Sequence, residues 1–94
     1  MKTNAIFPTA RPAALRGTMA KHFSHKISVT DAATRAEFRF DDGLATLAEV
    51  PEGLALTVEA ADAATQVQLQ DVLERHLLRF AHREAPAPLV WSPA

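Results

Sequence analysis

From Ala36 to Ala60 the chain alternates apolar and polar residues with period two, broken by two short turn sequences, and this pattern constrains the fold more than any other. Ala36, Phe38 and Phe40 alternate with Arg35, Glu37 and Arg39, which puts apolar groups on one strand face and charges on the other. Asp42-Gly43 then predicts a hairpin turn, because glycine accepts positive φ without a Cβ penalty. Leu44 to Val50 returns, Pro51-Glu52-Gly53 makes a second tight turn, and Leu54, Leu56, Val58 and Ala60 alternate again. Connections this short cannot cross over a sheet, so the three strands form an antiparallel meander.

The flanks supply what covers one face of that meander. Asn4 to Pro8 predicts a short edge strand, since proline is confined to sheet edges and strand ends. Pro12 suits a first helical turn, and Leu15, Met19 and Phe23 recur at four-residue steps to give a helix over 12–24. Gly17 weakens that helix by about 1 kcal/mol relative to alanine, so tertiary packing must hold it. Ile27 and Val29 start a strand, with Thr30-Asp31 as its break. Asp62 is placed to cap a second, longer helix, along which Leu69, Val72, Leu73, Leu77 and Phe80 form an apolar stripe to about Ala81. Pro86 and Pro88 stop any helix and leave Leu89-Val90-Trp91 as a final edge strand. The expectation is one α+β domain over residues 1–94, with two helices on one face of an antiparallel sheet, in the order β-α-β-β-β-α-β.

Composition narrows the function. There are no cysteines, which excludes disulfides, thiolate metal sites and cysteine nucleophiles and suits a reducing compartment. No apolar run reaches the roughly 18–20 residues of a membrane span, and no stretch has signal-peptide order, so the expected location is cytoplasmic with no membrane partner. Net charge is −1, which argues against a nucleic-acid partner. The charge is uneven, however: residues 1–26 carry Lys2, Arg11, Arg16, Lys21 and Lys26 and no acid, while residues 27–62 hold eight acids against Arg35 and Arg39.

The histidines follow from the helical phase. His22 lies seven residues after Leu15 and His76 seven after Leu69, so each is turned only about 20° from its helix's core stripe. If the helices lie side by side, the two imidazoles line one shared site. His25 and Lys26 at the end of the first helix, and Arg79, His82 and Arg83 near the end of the second, would ring it with donors. A structural account competes: a histidine on an apolar stripe can bond a backbone carbonyl, and basic residues near a helix C-terminus complement its dipole. The steps Arg75, Arg79, Arg83 fit that account less well, because like charges four apart repel and only Arg75 has an acid, Asp71, one turn away.

The segments H-F-S-H-K at 22–26 and H-L-L-R-F-A-H-R-E at 76–84, with a central G-L-A-T-L and a closing L-V-W, resemble a bacterial family of small proteins known as domain-of-unknown-function family 2218. The resemblance runs from about Thr9 to Trp91. His22, Phe23, His25, Lys26, His76, Arg79, Phe80, Arg83 and Glu84 fall on its motif positions, and His82 on a variable one. The family brings no established activity. An association of some relatives with siderophore-interacting, flavin-dependent ferric reductases implies a role beside iron uptake.

Three function classes remain. One is a small binding module whose candidate site, His22, His25, Lys26, His76, Arg79 and Arg83, receives an anionic ligand or a metal complex, since arginine offers a planar fork to carboxylate or phosphate and neutral imidazole is the commonest metal ligand. The alternative is a protein interaction or assembly module in which Trp91 and an apolar rim dock a partner and the histidines are structural. An enzyme using His22 or His76 for acid–base work has the least support: no paired-carboxylate constellation or phosphate loop is present, and none of Ser24, Ser28 and Ser92 sits in a nucleophile elbow. A free metal ion would draw on His22, His25 and His76, but no carboxylate stands at a suitable spacing to complete or orient such a set.

Overall fold

The computed structural model describes residues 1–94. Strand β1 (Lys2–Pro8) leads into helix α1 (Pro12–Phe23), followed by β2 (Ser28–Ala32), β3 (Arg35–Phe40), β4 (Gly43–Val50) and β5 (Gly53–Ala60). Helix α2 (Ala63–Phe80), a single 3-10 turn (His82–Glu84) and the two-residue strand β6 (Ser92–Pro93) complete the chain. All six strands join one antiparallel sheet in the order β2-β3-β4-β5-β1-β6. This is the expected α+β arrangement, with the first middle strand resolved into the hairpin β2–β3.

Register explains which face is covered. Phe7 pairs with Leu54, Ala5 with Leu56, Leu56 with Leu47, Leu47 with Ala36 and Ala45 with both Val58 and Phe38, so the alternating apolar sets fall on one face. Leu15, Met19 and Phe23 of α1 and Leu69, Leu73 and Leu77 of α2 close over that face and are buried with it. Burying each such leucine contributes about 1.5–3 kcal/mol. Helix α1 lies over β2, β3 and β4, α2 lies over β4 and β5, and the helices touch each other. On the opposite face the Thr46 and Thr57 hydroxyls bond across the β4–β5 pair.

Several local expectations are corrected. The break after Val29 is not at Thr30-Asp31, which pair with Glu37 and Ala36; the chain turns at residues 33–34. Asp41-Asp42 form the β3–β4 turn, since Phe40 pairs with Gly43. Gly43 is needed for space rather than for φ: a Cβ there would stand 2.6 Å from the Glu59 carbonyl oxygen and 2.6 Å from Leu69 Cδ1. Gly53 does need its freedom, with φ +146° and a would-be Cβ 2.4 Å from the Phe7 carbonyl oxygen. Strand β1 is an edge over residues 5–8 as expected, whereas β6 pairs beyond it at Thr3 and Asn4.

The last strand also falls later than Leu89-Val90-Trp91. That segment is held by a helix side chain instead: Glu74 accepts from the Leu89 amide and from Trp91 Nε1, both at 3.1 Å. Asp62 caps α2 as expected, its carboxylate accepting from the Thr65 amide at 2.8 Å, a bond that holds its pKa below the ordinary carboxylate range. The helix ends at Phe80, one residue short of expectation. Ala85 then adopts a left-handed conformation (φ 50°) directly before Pro86, whose ring disfavours α-helical geometry in the residue preceding it.

Candidate functional site

The site stands where the C-terminal end of α1 meets the last turns of α2. Leu15, Met19 and Phe23 seat α1 on the sheet, and Leu69, Leu73 and Leu77 seat α2, which rotates His22 and His76 toward the seam between the helices. Both rings are partly buried, and their centroids lie 4.9 Å apart at an interplanar angle of 45°. Phe23 forms the floor, edge-on to His22 at 5.1 Å and to His76 at 5.0 Å, and itself rests on Phe38. Phe80 closes one side, 5.5 Å from His22 and 6.4 Å from His76.

Hydrogen bonding divides the two imidazoles. His76 Nδ1 lies 2.6 Å from the Val72 carbonyl oxygen, and because a carbonyl only accepts, Nδ1 carries the proton. In the neutral ring the lone pair is therefore on Nε2. His22 Nε2 is buried and has no hydrogen-bond partner. Burial, then the neighbouring His76, Lys26, Arg79 and His25, push the His22 pKa below the ordinary imidazole range. His22 is thus a neutral base, half-enclosed and surrounded by cations.

Two shallow clefts flank the pair. One, of about 240 Å³, is lined by Arg75, His76 and Arg79; the other, of about 450 Å³, by Thr18, Lys21, His22, His25 and Phe80. No acid lines either. Asp71 is paired with Arg75 at 3.1 Å, Glu74 is turned to Leu89 and Trp91, and Glu84 accepts from Thr9 Oγ1 at 2.7 Å. Lys21, Lys26 and Arg79 form no ion pair.

Of the six candidate residues, His22 and His76 meet, and His25 and Arg79 line the adjoining clefts. Lys26 lines neither, though its charge reaches His22. Arg83 drops out of the lining: α2 has ended before it, so it no longer shares a helix face with Arg79 and is exposed on the 3-10 turn. The three-histidine metal arrangement is not formed, because no group of three histidine, aspartate or glutamate side chains stands close enough to hold one ion. His82 turns back on α2, its Nδ1 donating to the Arg79 carbonyl oxygen at 3.0 Å. Sequence reasoning missed Lys21 and Thr18. The signal was present: positions 18, 21, 22 and 25 are one helical stripe.

Comparison with known proteins agrees with this architecture and assigns it no chemistry. An NMR structure of PA4090 from Pseudomonas aeruginosa matches with a TM-score of 0.78 and 25% identity over 99% of this chain and 95% of that one. Among curated proteins none matches. No helix of the chain is long and apolar enough to cross a membrane. Residues 4–92 match the family model described as an uncharacterized protein conserved in bacteria, and the chain belongs to that family, domain of unknown function 2218.

Proposed function

We propose that the protein is a small binding module that receives an anionic ligand in the His22/His76 seam. The observation carrying this reading is the buried, unpartnered Nε2 of His22 in a setting that holds cations and no free acid. Buried polar groups are ordinarily satisfied, and an orphan beside cationic clefts is a group waiting for something outside the chain. An incoming phosphate or carboxylate supplies the missing negative charge, and His22 takes up a proton as it enters and then donates Nε2–H to it. Arg79 and Arg75 offer planar forks from one side; Lys21 and His25 offer point charges from the other.

An anionic metal chelate falls within the same class. Two imidazole lone pairs fall short of the usual ligand set for a free ion, but they can fill two positions on a metal already held by a polycarboxylate. That version fits the role beside iron uptake that the association of some relatives with ferric reductases implies.

The test is an amide and imidazole NMR titration with phosphate, citrate, ferric citrate and zinc. The expected result is shifts confined to residues 18–26 and 72–80. Affinity for the anions should rise as pH falls through the His22 titration and weaken with added salt. Arg79→Gln with Lys21→Gln should stay folded and lose most of the response. Shifts scattered over every lysine and arginine, or none at the seam up to about 10 mM ligand, would overturn the reading.

A further inference from the structure

Away from the histidine seam, a third cleft of about 400 Å³ lies between β1 and the segment that returns from α2. Ile6, Phe7 and Pro8 form one wall, and Glu84 to Val90 the other. Its lining is mainly apolar and contains no basic residue. Prolines at positions 8, 86 and 88 stiffen both walls, so the space is pre-formed.

The one polar side chain in the lining, the Glu84 carboxylate, is an acceptor. Thr9 Oγ1 accepts from the Arg11 amide at 3.0 Å and gives its one proton to Glu84 Oε1 at 2.7 Å. Glu84 Oε2 is left buried with no partner, and no arginine, lysine or histidine pairs with this carboxylate. The main chain of β1 adds another acceptor. Lys2 C=O accepts from the Ala94 amide, so even-numbered residues of β1 point their backbone groups toward the β6 side. Ladder pairing with β6 covers Thr3 and Asn4 only, which leaves the Ile6 carbonyl, together with the Ile6 N–H, on the cleft side. A carboxylate oxygen and a carbonyl oxygen in an apolar slot complement a group with several N–H donors, a positive charge and an apolar body.

We propose that this cleft binds small apolar primary ammonium ligands, with Glu84 and the Ile6 carbonyl receiving the N–H groups. The site is separate from the anion-binding seam and does not depend on it.

The test compares three probes of one shape on the whole chain by amide NMR: phenethylammonium, its trimethylammonium analogue, which has charge but no N–H, and phenethyl alcohol. The primary ammonium should shift residues 6–9 and 84–90 and bind at least about tenfold tighter than either of the others. Glu84→Gln should abolish that preference while leaving any weak apolar binding. Should Glu84→Gln fail to fold, the comparison of probes on the wild-type protein decides alone. Equal affinity for ammonium and alcohol, equal affinity for primary and quaternary ions, or shifts outside the cleft would overturn the proposal.

Discussion

Helix α1 carries two polar side chains against the rest of the fold, and the chain treats them in opposite ways. Arg16 is fully engaged. Its Nε donates to Glu49 at 3.1 Å, another guanidinium nitrogen pairs with Asp31, and the third donates to the Ala33 carbonyl oxygen at 3.1 Å. These contacts tie the helix to β4 and to the β2–β3 turn. His22, six residues on, has a buried ring nitrogen with no partner and a setting whose charges all oppose its protonation. The Arg16 end is built to hold the fold; the His22 end keeps an unmet demand next to open clefts. Local rules broken without compensation mark functional sites more often than structural ones.

Substitutions sharpen that contrast. The largest effect is expected at the floor shared by both histidines: Phe23, 4% exposed, contacts His22, His76, Phe38 and Phe40. Phe23→Ala should cost about 3–5 kcal/mol in urea unfolding and scatter the imidazole signals of both histidines. Arg16→Met comes next. It strands Glu49, and because the group retains some solvent the cost should be about 1–2 kcal/mol. A loss below about 0.5 kcal/mol would place Arg16 with ordinary surface pairs and break the comparison from that side.

The pH dependence is a smaller effect with a defined sign. The His22 pKa is lowered in the folded state, so the unfolded chain binds the extra proton first. Stability should therefore be flat above the unfolded value of about 6.5, decline as pH falls below it, and level off once the folded His22 has titrated. His22→Gln should remove that slope. A variant that keeps the whole slope would assign the proton to another group.

How much of this was legible in the sequence depends on range. Helical phase places His22 and His76 because Leu15 to Met19 and Leu69 to Leu77 fix the rotation of each helix locally. The Asp62 cap and the meander were readable for the same reason. The Arg16 network was not: Arg16 and Glu49 are 33 residues apart and come together only through sheet register, which places Glu49 opposite Leu54 on the helix-covered face. The turn at Ala33-Thr34 carries no strong turn residue, whereas Thr30-Asp31 resembles a break yet pairs in the ladder. Four-residue periodicity puts Arg83 on one face with Arg79 because it does not register where a helix ends, and Pro86 acts on that end from beyond it.

The smallest expected change is also the most telling. His22→Leu replaces the orphaned ring with an apolar group of similar bulk, and replacing an unsatisfied polar group in this way is close to neutral or stabilising. The decisive measurement is the urea midpoint of wild type and His22→Leu at pH 7, each with and without citrate. Without citrate the variant should be at least as stable as wild type; with citrate at ten times its dissociation constant, wild type alone should gain about 1.4 kcal/mol. A variant that loses more than about 1 kcal/mol without citrate, beside a wild type that gains no more from citrate than the variant does, would show that His22 serves the fold and not a ligand.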